Sequence, residues 1–299
     1  MSRDIALLVN PTAGRGRAPA LAGELATALA AAGDEVRTIA GARAEESGQL
    51  AREAVADGAD VLVAIGGDGL VHLALQAVAG TGTTLGILPA GSGNDFARAV
   101  GVPLTDPAQA IDVIAQGTVR PVDALRVTTG DGKVTWVGTI LAVGFDARVN
   151  MRSDRLRRLP GQLRYNAAVF AELASFRPLS YTLSTDGDQQ ALDAMLIAIG
   201  NGPWYGRGLK MCPEASLTDG ELDLTIVHPV SRLTLIRIFP KVYSGEHVKH
   251  PQVEVRKARK VLIDSPGVIA YGDGERVGRL PATCEAVQGA VSVLAPATP

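Results

Sequence analysis

The chain has 299 residues and a formal charge of -2, from 29 Lys and Arg against 31 Asp and Glu, so it is long enough for two domains and carries no overall field that would draw it to nucleic acid. Hydrophobic residues make up 46% but aromatics only 4%, which leaves Ala, Val, Leu and Ile to fill the interior and favours an α/β or mixed protein. No apolar run approaches the roughly 20 residues that span a bilayer, and the opening run lacks the features of a signal peptide, so a cytoplasmic protein is expected.

Ile5 to Val9 reads as a first buried strand. It runs into Asn10-Pro11-Thr12-Ala13-Gly14-Arg15-Gly16, whose glycines allow close approach and whose arginine is either a cation for a ligand or a solvated turn residue. Leu21 to Ala32 has helical apolar spacing closed by Gly33, Val36 to Thr38 is a second strand, and Ala44 to Ala56 a second helix closed by Gly58. Val61 to Ile65 is the third strand. This alternation predicts a parallel sheet with helices on both faces and functional loops at the carboxyl ends of the strands.

Two glycine-rich turns follow. Gly66-Gly67-Asp68-Gly69 leads into a helix from Leu70 to Val78, and its clustered N–H groups suit an anion. Asp68 would repel that anion unless a divalent cation lay between them, which argues for a phosphate with Mg²⁺. After the strand Leu85 to Leu88 comes Pro89-Ala90-Gly91-Ser92-Gly93-Asn94-Asp95. Either turn alone could be a mere connection; the pair reads as a nucleotide polyphosphate site. Neither the G-x-G-x-x-G opening of a dinucleotide fold nor the G-xxxx-G-K-[ST] loop is present.

Phe96 to Val100 and a segment from Pro107 through Ala108 to Gln116 complete the helices of the first half. Beyond Gly117 the chain turns to short extended runs: Arg120 to Val127, Lys133 to Val143, Tyr181 to Thr185, Ala191 to Ile199, Leu222 to Val227, Val253 to Val255, Val261 to Ile263, Val268 to Tyr271 and Val287 to Leu294. One helix, Arg232 to Tyr243, interrupts them. A mainly antiparallel β domain is expected, with boundaries at 1–122, 123–289 and a returning 290–299 segment.

Acidic residues recur at the turns. Asp95 and Asp123 flank the domain border, where a buried carboxylate calls for a cation or several donors. In Pro213-Glu214-Ala215-Ser216-Leu217-Thr218-Asp219-Gly220-Glu221-Leu222-Asp223, Asp219 and nearby backbone oxygens, that of Leu222 among them, could hold a hard cation or simply form an acidic turn. Gly272-Asp273-Gly274-Glu275 is either a hairpin or a site of chemistry. Arginines at 148, 152, 155, 157, 158 and 164 offer a contact for anionic headgroups, or a solvated loop. Cys212 and Cys284 leave a disulfide open.

The GGDG turn followed by GSGNDF resembles the catalytic domain of the diacylglycerol kinase and sphingosine kinase superfamily, including the bacterial soluble lipid kinases. NAD kinases and phosphofructokinases share only the first turn. The resemblance implies an NAD kinase/phosphofructokinase-like α/β domain followed by a β-sandwich, with ATP and Mg²⁺ as cofactors and transfer of the γ-phosphoryl to a hydroxyl of diacylglycerol or a related lipid alcohol. It places Asn10, Arg15, Gly66, Gly67, Gly69, Gly91, Ser92, Gly93, Asn94 and Asp95 at the nucleotide, and Asp68 at the metal-bound phosphates. Asp123, Asp219 and Leu222 join the metal network; Asp273 is the base for the acceptor hydroxyl, and Glu275 supports metal and phosphate. A fold of this class often pairs, which leaves a homodimer open, and the arginines of 148–164 offer a peripheral contact with an anionic membrane surface. The sequence departs from the family at Leu70, His72 and Leu73, where a threonine and an N-E pair are usual, and at Thr218, the first of a usual aspartate pair. The rival readings are a NAD or small-alcohol kinase, and a nonenzymatic nucleotide- or lipid-binding regulator.

Overall fold

The computed structural model describes residues 2–144 and 177–297, so the arginine-rich 148–164 segment lies outside the described residues. The chain divides into two compact units, Met1–Ala124 with Leu217–Asp219 and Val287–Pro299, and Leu125–Ser216 with Gly220–Ala286.

In the first unit, β1 (Asp4–Val9) passes through a short turn, α1 (Ala13–Gly16), into α2 (Ala18–Ala31), β2 (Glu35–Ile39), α3 (Ala44–Ala56), β3 (Val61–Gly66), α4 (Asp68–Val78), β4 (Thr84–Pro89), α5 (Asp95–Ala99) and α6 (Pro107–Gln116). The strands stand in the order β2-β1-β3-β4, all parallel, with Leu7 opposite both Thr38 and Val63. Ile5, Ala6, Leu7 and Leu8 are each 0% exposed; since successive side chains point to opposite faces, both faces of the sheet are covered. Gly33 and Gly58 follow α2 and α3 at φ 90° and 93°, a left-handed geometry that any Cβ would strain. The α6 start is fixed by Asp106, whose carboxylate accepts the N–H groups of Ala108 and Gln109, with Pro107 as first helical residue.

From β5 (Thr118–Thr129) the chain enters the second unit: β6 (Val134–Val137), β7 (Ile140–Gly144), β8 (Leu179–Thr185), β9 (Asp188–Ala194), β10 (Leu196–Gly200), β11 (Leu222–Val227), α7 (Arg232–Ile238), β12 (Val253–Ala258), β13 (Lys260–Asp264), β14 (Ile269–Gly272) and β15 (Glu275–Arg279). The final β16 (Ala282–Ala295) serves both units: its first residues pair antiparallel with β13, and Val293 pairs parallel with Leu85 of β4. One antiparallel sheet runs β12-β11-β10-β7-β14-β15, while β13 joins β8 and β8 joins β9. Leu125, Val137, Tyr181 and Val261 meet Leu141, Ile197, Leu224 and Val277 in one buried cluster, the interior of a β-sandwich. The parallel α/β half and the antiparallel β half are those that the element pattern predicts, and the sandwich is what the family resemblance implies.

Several local expectations change. The run Lys133 to Val143 is broken at Gly138-Thr139 into β6 and β7, and Ala191 to Ile199 is broken at Met195 into β9 and β10, which pair in different sheets. The helix expected through Tyr243 ends at Ile238 and tightens into a 3₁₀ turn over Phe239–Val242, where Pro240 has no N–H to continue an α-helix. Both cysteines are buried and free, so no disulfide joins them. Among the described residues no helix is long and apolar enough to cross a membrane.

Candidate active site

Three turns converge at the carboxyl ends of β1, β3 and β4. The Asn10 N–H donates to the Ile65 carbonyl (3.2 Å), and the Ala90 N–H to the Gly66 carbonyl (2.8 Å). A Cβ added to Gly91 would stand 2.4 Å from the Gly67 Cα, and one on Gly14 would stand 3.4 Å from the Ala90 carbonyl oxygen. Glycine at 91 is therefore demanded by backbone meeting backbone, and at 14 it is favoured by the left-handed φ of 60°. Asn10 folds its own turn, its Oδ1 accepting the Thr12 N–H (3.1 Å) and hydroxyl (2.9 Å). Arg15 is exposed at φ 60° on the neighbouring turn.

Asp68 is the first residue of α4 and clamps the second turn, its carboxylate accepting the N–H of Asn94 (2.9 Å) and of Asp95 (2.6 Å). Asn94 sits in left-handed geometry at φ 56° and closes its turn reciprocally: Oδ1 accepts the Gly91 N–H (3.1 Å) and Nδ2 donates to the Gly91 carbonyl (3.0 Å). Gly93, Asn94 and Asp95 are buried, Gly67, Asp68 and Gly69 half-buried, and Gly91 and Ser92 exposed at the tip. A helix start with glycine backbone on one side and a carboxylate oxygen on the other suits a phosphate accompanied by a hard cation.

The departures from the family pattern turn inward. Leu70 folds over Gly66, where an added Cβ would meet its Cδ2 at 2.8 Å, and Leu73 packs at Gly48 of α3. His72 is 8% exposed, buried within the unit.

Asp123, 4% exposed, accepts the Gly289 N–H (2.9 Å) on Oδ1 and gives its own N–H to the Leu217 carbonyl (2.7 Å). It thus ties β5, the 217–219 segment and β16 together, and with Asp219 it belongs to the first unit, whereas the sequence boundaries placed both in the β-rich domain. Leu222 is fully buried opposite Ala258 in the β11 ladder, and Glu275 is exposed at the start of β15. Among the described residues no three His, Cys, Asp or Glu side chains group as a metal cage.

In the second unit Asp273 and Gly274 form the tight β14–β15 turn at φ 52° and 87°. The Asp273 carboxylate is held on three sides: Oδ2 accepts the Gly138 N–H (2.8 Å), and Oδ1 accepts both the N–H (2.8 Å) and the hydroxyl (2.6 Å) of Thr139. Asn201 supports the same connection, its Nδ2 donating to the Gly138 carbonyl (2.8 Å) and its N–H to the Thr139 carbonyl (2.7 Å). The Asn201 and Asp273 turns, separate in the sequence, are one knot around Gly138-Thr139. Thr139 was missed because its surroundings read as unbroken strand; Gly138 was the only hint of a break.

Residues 4–127 match the diacylglycerol kinase catalytic domain, and residues 139–295 match the YegS C-terminal NAD kinase beta sandwich-like domain. A Mycobacterium tuberculosis (strain ATCC 25618 / H37Rv) protein named diacylglycerol kinase is 40% identical over 98% of this chain and 95% of its own. A Bacillus subtilis (strain 168) diacylglycerol kinase is 29% identical over 92% and 90% of the two chains. A Stenotrophomonas maltophilia protein named "Probable lipid kinase YegS-like" is 31% identical over 82% of each. In a crystal structure of a diacylglycerol kinase from Bacillus anthracis str. Sterne, 98% of this chain and 97% of that one superpose with a TM-score of 0.74 at 21% identity, a likeness of fold. With a catalytic-domain match followed in order by its sandwich partner, and a relative at 40% identity along nearly its whole length, the chain belongs to the diacylglycerol kinase family of phosphotransferases.

Proposed function

We propose that this protein transfers the γ-phosphoryl group of ATP, bound with Mg²⁺, to a hydroxyl of diacylglycerol or a related lipid alcohol. The observation that carries the reading is the Asp273 carboxylate, fixed by Gly138 and Thr139 on a strained turn instead of swinging free as a surface hairpin residue would. In a loose phosphoryl transfer, an aspartate so held orients the acceptor hydroxyl and takes its proton late. Asn10, Arg15, Gly66, Gly67, Gly69, Gly91, Ser92, Gly93, Asn94 and Asp95 are assigned to the nucleotide. Asp68, at the start of α4, would hold Mg²⁺ beside the phosphates, where the ion would supply neutralising charge to the phosphate oxygens. Asp123 and Asp219 are assigned to the metal network, with Leu222 contributing through its backbone, and Glu275 to the support of metal and phosphate. Residues 148–164 are assigned to the bilayer on the strength of their arginines.

The test is ATP-dependent labelling of a total lipid extract and a small-alcohol panel including NAD, with Mg²⁺, for the wild type and Asp273→Asn. A labelled lipid is expected, falling by roughly a hundredfold or more in the variant, while ATP binding persists. Labelled NAD without labelled lipid would overturn the acceptor assignment. ATP binding without any acceptor-dependent product would overturn the transfer itself.

A further inference from the structure

Helix α7 presents apolar side chains on both sides. Ser231 caps its start by accepting the Thr234 N–H, and Leu235 and Ile238, at 8% and 3% exposed, face the unit's interior. Leu235 shares a buried cluster with Val227 of β11, Val253 of β12, Met211 and Val242. At about 100° per residue, Leu233 and Ile236 fall on the opposite side of the helix. They are 68% and 46% exposed, and exposed Arg232 and Arg237 flank them. The following 3₁₀ turn adds exposed Lys241, and Tyr243 beyond it is 53% exposed, held edge-on against Phe239.

Core packing does not call for these residues. Among the described residues the other large exposed apolar side chains, Val119, Val134, Val255 and Leu262, are scattered singly over strands, whereas Leu233, Ile236 and Tyr243 fall within one short segment. From Arg232 to Lys249 there are four Lys and Arg against one acid, Glu246, and that acid pairs with Lys249 at 3.0 Å. Aliphatic side chains ringed by arginine and lysine fit the headgroup–acyl boundary of an anionic bilayer: the apolar groups enter it and the cations meet lipid phosphate. A second copy of the same cationic face would be repelled by like charge.

We infer that the outer face of α7 with the turn after it is a membrane-docking surface, in which Leu233, Ile236 and Tyr243 insert and Arg232, Arg237 and Lys241 contact anionic headgroups. The choice of a bilayer as partner rests on the lipid-kinase reading. Docking itself is measured without turnover, so the two fail separately.

The test is co-sedimentation of the full chain with phosphatidylcholine vesicles and with vesicles half phosphatidylglycerol, beside lipid phosphorylation and thermal unfolding. The wild type is expected to favour the anionic vesicles. Leu233→Ser with Ile236→Ser is expected to lower that partition by roughly tenfold, and Arg232→Gln with Arg237→Gln to lower the preference for anionic lipid by roughly threefold, the remainder resting with the arginines of 148–164. Both should unfold at the wild-type temperature, as should Val134→Ser, an exposed apolar control expected to bind vesicles normally. Unchanged vesicle binding by both double variants would overturn the inference. So would a loss of self-association with vesicle binding intact, which would make the face a contact between copies. Vesicle binding reduced in both double variants but normal in Asp273→Asn would support the inference even if no lipid were phosphorylated.

Discussion

The hydroxyl of Thr139 is 2.6 Å from the Asp273 carboxylate, and the residue is 1% exposed, so this donor has no competing water. Thr139→Val keeps the branched shape and removes one of three donors that fix the carboxylate. Turnover is expected to fall about tenfold, equivalent to ~1.4 kcal/mol, with nucleotide affinity unchanged, and Thr139→Ser to restore it. Single-turnover rates beside ATP binding check this; a Val variant as fast as the wild type would leave Thr139 a packing residue only. Asp273 was visible in the sequence because it stands in a short polar turn between extended runs. Thr139 was not, since its partner lies 134 residues away and only the folded sheet brings them together.

The meeting of the β3 and β4 turns depends on backbone without side chains. In Gly91→Ala the new methyl would be 2.4 Å from the Gly67 Cα, against backbone that cannot swing aside. The two turns would have to separate, pulling Asn94 and Asp95 from Asp68. Nucleotide affinity is expected to fall by roughly tenfold or more, with a lowered melting temperature. Gly82→Ala, whose Cβ meets nothing within 4 Å, is the neutral control. Calorimetric titration with ATP and thermal unfolding read the two effects, and normal affinity in Gly91→Ala would refute the convergence as a binding requirement. Strands and helices of the first unit were legible because each apolar run ends in glycine or a capping residue. The breaks at Gly138 and Met195 were less so, because residues buried between two sheets read as one continuous apolar run whichever sheet they join.

Stability of the protein as a whole should fall in two steps toward acid. His247 is 0% exposed, its Nε2 lies 3.1 Å from the Met211 carbonyl, and burial lowers its pKa. The unfolded chain therefore takes up this proton first, and stability declines as pH drops below about 6.5, until the folded histidine also titrates. Asp34 beside Arg3 at 2.5 Å, and Glu285 between Arg126 at 2.6 Å and Lys260 at 2.9 Å, have depressed pKa values from those bonds. Their contribution is complete above the ordinary carboxylate range near 4 and is lost as pH falls through the lower folded values. Melting temperatures from pH 8 to pH 3 should show both steps, and His247→Gln should flatten the first alone. A variant that kept the step below pH 6.5 would assign it to another group.

The order of strands, helices and turns carried the α/β half and the antiparallel β half, because periodicity, capping and turn chemistry act over a few neighbouring residues, and the paired GGDG and GSGNDF turns carried the resemblance to the family. The joining of Asn201, Thr139 and Asp273, the packing of Leu70 and Leu73 away from the turn tips, the membership of Asp123 and Asp219 in the first unit, and the outward aliphatic face of α7 were settled by folding alone. Each depends on which distant segment covers a given side chain, and a linear pattern of apolar and polar residues holds no record of that.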